Sequence, residues 1–332
     1  MAESGRLRAA IIGAGLMGRW HADAVRYAGH RVTAVVDSRP EQAQKLAHAM
    51  DANVFTLDDA LNACDVVHVC VPVDAHEAVT RRAFAASKSV ICEKPLALNA
   101  DATRALFDAA RDAGVLLTPV HQFLFQEGVR RVWSGLAGLG TVLHVETISC
   151  TAGADGRNDA DRDAVALDIL PHPLSLIEHF WPGSLASQSW NVAHHGAGEL
   201  HLVGSTGAFS TSILISCQGR PTRNAVHIIG SAGTATLDLY HGYAMIEHGR
   251  LTRMGKLVQP FAASLHVLGV ASTNLARRAI SRETAYPGLR RLIERTYAAV
   301  RDRTDGPLHA AETIAVATVG DLVRAQMKAR RS

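Results

Sequence analysis

The stretch Leu7-Arg8-Ala9-Ala10-Ile11-Ile12-Gly13-Ala14-Gly15-Leu16-Met17-Gly18 decides the fold. A largely apolar run of strand length gives way at Gly13 to a G-x-G-x-x-G, and the periodicity over residues 16–28 is that of a helix. Gly13 permits the tight turn, Gly15 lets backbone come close to a ligand, and Gly18 lets helix and strand pack closely. The first helical turn, with Leu16 and Met17, offers free N–H groups and the positive end of the helix dipole to an anion. A second strand, residues 31–36, ends in Val35-Val36-Asp37, which sets a carboxylate nineteen residues after Gly18. An acid there accepts from a ribose hydroxyl. A glycine turn alone also fits an ordinary strand–turn–helix with an Asp cap. Turn and acid together point to a dinucleotide. Asp37 repels a 2′-phosphate and favours NAD, whereas Arg39 would attract that phosphate and keeps NADP as the alternative.

Outward from this motif the alternation continues. Helices are expected at 40–50, 58–62, 75–87 and 99–113, and strands at 53–55, 65–71, 89–92 and 115–120. Strands alternating with helices predict a parallel sheet covered on both faces. Beyond His121 the pattern changes. A helix at 126–134 and a strand at 141–150 precede a Gly/Asp-rich stretch, 151–163, that reads as loop. A helix follows at 174–180. Alternating runs at 189–193, 199–203, 209–216, 225–229, 234–239 and 244–247 read as an antiparallel or mixed sheet. Helical pattern returns from 262. The fold class is α/β: an N-terminal Rossmann domain at residues 1–120, then an α+β domain at 121–332.

Composition narrows the function classes. Of 332 residues 48% are hydrophobic and 20% charged, which fits a folded globular chain and excludes a disordered one. A net charge of +3 excludes a nucleic-acid binder, and the basic spots Arg277-Arg278 and Lys328-Ala329-Arg330-Arg331 read as solvated surface. Cys64, Cys70, Cys92, Cys150 and Cys217 are odd in number and irregular in spacing, as in a reduced, cytoplasmic protein. No secretory signal is expected. Residues 257–276 carry no formal charge and reach spanning length, but Gln259, Pro260, His266 and Asn274 make them an amphipathic or interface helix rather than a membrane span.

Two further motifs carry chemistry. Cys92-Glu93-Lys94-Pro95-Leu96 follows the strand 89–92, at the carboxyl edge of the sheet where open α/β folds bind ligands. A lysine held there can face both nicotinamide and substrate. Asp168 and His172 stand four apart, which on a helical turn sets a carboxylate and an imidazole on one face. Hydride transfer at an alcohol needs a group to exchange the hydroxyl proton, and histidine suits that role. A lone lysine or Asp/His pair is more often structural. His194-His195 with His201 matches no metal-site spacing, and no metal is expected. His121, at a strand end, is a candidate substrate contact with Gln122.

Taken together the chain resembles the glucose–fructose oxidoreductase and inositol dehydrogenase family over nearly its whole length. The resemblance rests on Gly13 to Gly18 with His21 after it, Val71-Pro72 with His76, Glu93-Lys94-Pro95, and Asp168 with His172. It rests also on Ile229-Gly230-Ser231-Ala232-Gly233-Thr234 and the run from Tyr286-Pro287-Gly288-Leu289 to Ala311. It implies an open, mostly antiparallel second sheet and a tightly held nicotinamide cofactor. Pro72, His76 and Glu93 join the cofactor-binding set, and a cis Lys94–Pro95 peptide is implied. Lys94 is placed at the reacting centre, with His172 as acid/base and Asp168 as its partner. The implied function is an NAD(P)-dependent dehydrogenase of a sugar, cyclic polyol or sugar derivative, with an NAD-using glycosidase or a non-catalytic cofactor-binding regulator as alternatives. A homodimer or homotetramer is expected, its interface the open sheet face with Phe209, Ile213, Ile215, Ile228 and Leu237. Three departures touch the substrate pocket: Leu170-Pro171 after the motif Asp, Arg162-Asp163-Ala164 where glycines are usual, and His121-Gln122-Phe123 in place of an Arg-Phe.

Overall fold

A computed structural model describes residues 5–249, 253–283 and 285–329. Residues 1–4, Thr284 and, in the basic tail, Arg330 and Arg331 lie outside the described residues. The chain forms two units, Met1–His121 with Leu289–Thr318, and Gln122–Gly288 with Val319–Ser332. A single division at 120/121 was expected. The first boundary falls one residue later, and the segment Leu289–Thr318 corrects the grouping of all of 121–332 together.

The first unit alternates β1 (Arg8–Ile12), α1 (Leu16–Tyr27), β2 (Arg31–Val36), α2 (Pro40–Met50), β3 (Asn53–Val54), α3 (Leu57–Asn62), β4 (Val66–Val69), α4 (Val73–Ala85), β5 (Ser89–Cys92), α5 (Ala100–Asp112) and β6 (Leu117–Pro119). Its six strands are all parallel, in the order β3-β2-β1-β4-β5-β6. Every residue of β4 and β5 is buried, as a sheet covered on both faces demands. Local chemistry sets the helix starts. Pro40 opens α2, the Thr56 side chain accepts from the Asp59 N–H at α3, and Asn99 accepts from the Ala102 N–H at α5. The order reverses between β1 and β4, and in such sheets ligands sit beyond the carboxyl ends of the strands at that point.

The second unit holds α6 (Glu127–Gly135), β7 (Val142–Cys150), α7 (Asp159–Ile169), α8 (Pro171–Phe180), α9 (Ser184–Ser187), β8 (Ser189–Gly196), β9 (Glu199–Ser205), β10 (Ser210–Ser216), β11 (Arg223–Gly230), β12 (Gly233–Asp238), β13 (Tyr243–His248) and α10 (Arg253–Ser281). The seven strands run β13-β12-β11-β7-β10-β9-β8, with only β7 and β10 parallel. The sheet is therefore mostly antiparallel, as expected. After it come α11 (Leu289–Asp302), which packs on α1 and β5 in the first unit, and α12 (Ala310–Ala329).

Three readings are corrected. Residues 151–163 are not all loop, because Asn158 accepts from the Asp161 N–H and starts α7 at Asp159. The helix expected at 174–180 begins at Pro171, whose missing N–H costs nothing in a first turn. Phe209, Ile213, Ile215, Ile228 and Leu237 are buried within the chain, not on the open face. Strand alternation accounts for this, since α6 packs on β12 and β13 and α7 on β9 and β10, covering that side. The opposite side carries the exposed Val203, Leu214 and Ile229.

Among the described residues no helix is long and apolar enough to cross a membrane, and no group of three or more His, Cys, Asp or Glu is placed to hold a metal ion. The five cysteines are unpaired.

Candidate active site

The glycine turn is specified by sterics. A Cβ on Gly13, whose φ is +99°, would stand 2.5 Å from the Cys70 carbonyl oxygen, and one on Gly18 would stand 1.9 Å from the Gly13 carbonyl oxygen. A Cβ on Gly15 meets nothing within 4 Å. Two glycines are thus needed by the protein's own packing, and the third leaves open space at the first turn of α1. That is the cradle a pyrophosphate needs, beside helix N–H groups. Leu16 is exposed and Met17 half-buried at this rim.

Asp37 terminates β2 with its side chain 6% exposed. Its Oδ2 accepts from the Ala14 N–H (2.7 Å), and Oδ1 accepts from the Arg39 N–H (2.8 Å) and Arg39 Nε (3.3 Å). Burial pushes the carboxyl up, but these hydrogen bonds and the guanidinium outweigh it and hold Asp37 below the usual carboxylate range. The acid therefore stays ionised while it braces the glycine turn, and Arg39 neutralises part of its charge.

The Glu93-Lys94-Pro95 turn follows β5, and the Lys94–Pro95 peptide is cis, as the resemblance implied. Lys94 is half-buried. Glu93 faces inward. Its Oε1 lies 3.0 Å from His21 Nε2, and its Oε2 accepts from the Lys94 N–H at 3.2 Å. His76 is buried in α4, with Nδ1 3.0 Å from the Pro95 carbonyl and Nε2 2.9 Å from the Val71 carbonyl. It ties the turn after β4, which includes Pro72, to the turn after β5. Glu93 and His76 therefore support the walls of the site through main-chain groups rather than presenting their polar atoms outward.

His121 ends the first unit. Both its ring nitrogens are buried and lack a hydrogen-bond partner among the described residues. Burial pushes its pKa down to about 4, with Glu312 opposing and Lys94 reinforcing that shift. An imidazole with two orphaned nitrogens is costly unless a ligand or water completes it. In the second unit, Gln122 is buried with Oε1 likewise unpartnered. Asp168 lies in the last turn of α7 and His172 in the first turn of α8. Leu170 between them keeps helical angles (φ −51°, ψ −38°) where α7 gives way to α8 at Pro171. Asp168 is exposed; His172 is half-buried, its ring 4.4 Å from that of Phe123.

His68 and Tyr297 escape the sequence reading. His68 had a signal: it interrupts an apolar strand, and a polar residue in a doubly covered strand must find a buried partner. Tyr297 had none, since its partner lies 229 residues away. His194 is held by Asp163 (2.9 Å) and His201 lies 3.1 Å from Ser212 Oγ, which gives each a protein partner.

Residues 7–121 match the family model described as oxidoreductase family, NAD-binding Rossmann fold. The inositol 2-dehydrogenase of Rhizobium meliloti (strain 1021) is 37% identical over 109 residues, which cover 32% of this chain and 33% of that protein. The dTDP-3,4-didehydro-2,6-dideoxy-alpha-D-glucose 3-reductase of Streptomyces violaceoruber is 28% identical over 221 residues, 62% of this chain and 64% of that protein. The matches thus span a third to under two thirds of these curated relatives. The solved UDP-N-acetylglucosamine 3-dehydrogenase of Acidithiobacillus ferrooxidans shares the fold with a TM-score of 0.75, at 20% identity, over 96% of this chain and 97% of that one.

Proposed function

We propose that the chain, whose residues 7–121 match the oxidoreductase family with an NAD-binding Rossmann fold, is an NAD(P)-dependent dehydrogenase of the glucose–fructose oxidoreductase and inositol dehydrogenase family. It transfers hydride between the nicotinamide and a hydroxyl or carbonyl of a sugar, cyclic polyol or sugar derivative. The observation that carries this reading is the open space at Gly15 between two sterically obligatory glycines, braced by Asp37. The names of the relatives, an inositol 2-dehydrogenase and a 3-reductase of a dTDP-sugar, support the substrate class.

Gly15 and the N–H groups of Leu16 and Met17 would hold the pyrophosphate on the turn that Gly13 and Gly18 shape, Asp37 would hold the ribose, and Pro72 lies in the turn after β4. When bound, the nicotinamide supplies or takes the hydride. His172 takes or returns the hydroxyl proton. Lys94 stabilises negative charge developing on the oxygen, and Asp168 orients the imidazole or a substrate hydroxyl. The division is chemical: an imidazole can accept a proton near pH 7, whereas an ammonium group serves better as a fixed charge. The unpartnered nitrogens of His121 and the Gln122 oxygen are where sugar hydroxyls bind.

The test is a screen of inositols, free sugars and nucleotide-sugars for change in NADH or NADPH absorbance, with both cofactors titrated. NAD should bind more tightly, and Asp37→Ala should weaken NAD and narrow the gap to NADP. No absorbance change with any sugar, or tighter NADP binding by the unmodified chain, would count against the respective half of the reading. A cytoplasmic homodimer or homotetramer completes it, supported by the unpaired thiols and by exposed Val203, Leu214 and Ile229. A 35.4 kDa monomer in light scattering would exclude the oligomer.

A further inference from the structure

Four buried side chains of the first unit form a row. Tyr297 Oη lies 2.8 Å from His68 Nε2, His68 Nδ1 lies 2.8 Å from His21 Nδ1, and His21 Nε2 lies 3.0 Å from Glu93 Oε1. Tyr297, His68 and His21 are fully buried, and Glu93 is 8% exposed. The row joins α11, β4, α1 and the turn after β5, four elements far apart in sequence.

With one proton on each imidazole, the protons in this row have one consistent arrangement. Burial raises the Tyr297 pKa, so the phenol keeps its proton, and it lowers that of His68, so that ring carries a single one. The Tyr297 hydroxyl has His68 as its partner among the described residues, so it donates to His68 Nε2. His68 must then carry its proton on Nδ1 and donate it to His21 Nδ1. His21 Nδ1 is thereby an acceptor, its proton sits on Nε2, and that N–H donates to Glu93 Oε1. Glu93 Oε2 accepts from the Lys94 N–H. Reversing any one bond leaves two donors or two acceptors facing each other inside the sheet.

We propose that Tyr297, His68 and His21 are positioning residues, which lock Glu93 and through it the Lys94 peptide by a one-way chain of hydrogen bonds. The proposal rests on the reading of Lys94 as the lysine at the reacting oxygen. The row's head, Tyr297, lies on α11 in the segment Leu289–Thr318, which groups with the first unit.

The experiment uses the full-length protein and two readouts independent of substrate. Nitrogen-15 NMR of histidine-labelled protein should show His68 as the Nδ1–H tautomer and His21 as the Nε2–H tautomer. Exchange of the Lys94 amide hydrogen should quicken by at least about tenfold in His21→Leu, less in Tyr297→Phe, and return toward wild type in His21→Gln, whose amide can still donate to Glu93. Thermal melting shows whether each variant folds, and Tyr297→Phe, which removes one oxygen, keeps the test alive should His21→Leu fail to fold. An Nε2–H tautomer at His68, or Lys94 exchange equal in wild type and both variants, overturns the proposal. Lys94→Ala distinguishes the two readings: if it turns over the sugar found by the screen as fast as wild type, the lysine assignment fails while the tautomers stand.

Discussion

The histidines of the two sheets obey different rules. His68 sits in β4, where all four residues are buried, and both ring nitrogens are engaged inside the protein. His144, His201 and His227 sit on strands of the second sheet that alternate buried and half-exposed positions, and each meets a neighbouring hydroxyl: Ser210, Ser212 and Thr236 at 2.7, 3.1 and 3.2 Å. In a sheet covered on both faces a polar side chain reports an internal network, because an unpartnered one would cost too much. In a sheet with one open face it reports only which way the strand points.

His172 lies on neither sheet and gives the largest expected effect. It stands in a first helical turn against Phe123. His172→Ala should lower kcat by roughly 10² to 10⁴, while NAD affinity, set in the glycine turn, stays within twofold. Turnover surviving within a few-fold would place the proton exchange elsewhere, with His121 next to test.

The glycines sharpen the contrast between internal and ligand-facing constraint. Gly18→Ala forces a Cβ to 1.9 Å from a backbone oxygen, and an overlap with backbone cannot relax by rotating a side chain. A loss of about 3 kcal/mol in urea unfolding is expected, with or without NAD. Gly15→Ala enters open space and should leave the unfolding midpoint unchanged while weakening NAD. Equal stability losses for the two would remove the argument that Gly15 is kept for a ligand.

These contrasts show what was legible in the sequence. The strand, turn and helix around Gly13 and the acid at Asp37 could be read directly, because each is a local constraint with a fixed spacing. So could β2, α2 and β5, whose ends fall where periodicity and Pro40 put them. The start of α7 was hidden, since Asn158 and its acidic neighbours resemble loop until the cap geometry is seen. The packing of α11 against α1 was hidden for a different reason: an amphipathic stripe says that a face is buried but not against what. The Tyr297 to Glu93 row is invisible for the same reason, as it closes only in three dimensions.

Acid stability tests whether buried histidines of the first unit behave as the packing requires. His121 titrates at about 4 in the folded chain against 6.5 for a solvated ring. As pH falls through 6.5 the unfolded chain takes a proton that the folded chain refuses. Stability present above pH 6.5 is therefore lost progressively down to pH 4, by about 3 kcal/mol at 1.36 kcal/mol per pH unit. The buried His68 acts in the same direction. Urea unfolding at pH 7 and 4.5 should show the difference, and His121→Leu should shrink it. An unaltered difference in that variant would mean that His121 is hydrated in the folded state.

The smallest effect concerns the frame that carries Asp168. The Asn158 side chain accepts from the Asp161 N–H at 2.9 Å and donates to the Asp161 carboxylate at 3.0 Å, so one residue closes the first turn of α7. Asn158→Ala should cost about 1 kcal/mol of stability. Asn158→Gly should cost only a few tenths, because glycine tolerates the cap backbone and leaves the amide open to water. Asp168 sits at the far end of α7, ten residues on and about 15 Å along the axis. Fraying of the first turn should therefore leave kcat within about twofold, since the last turn is held by its own bonds, with the Leu170 N–H donating to the Ala166 carbonyl. A large fall in kcat with only 1 kcal/mol lost would show that α7 moves as one piece, and that the second unit, like the first, sets its chemistry from the interior outward.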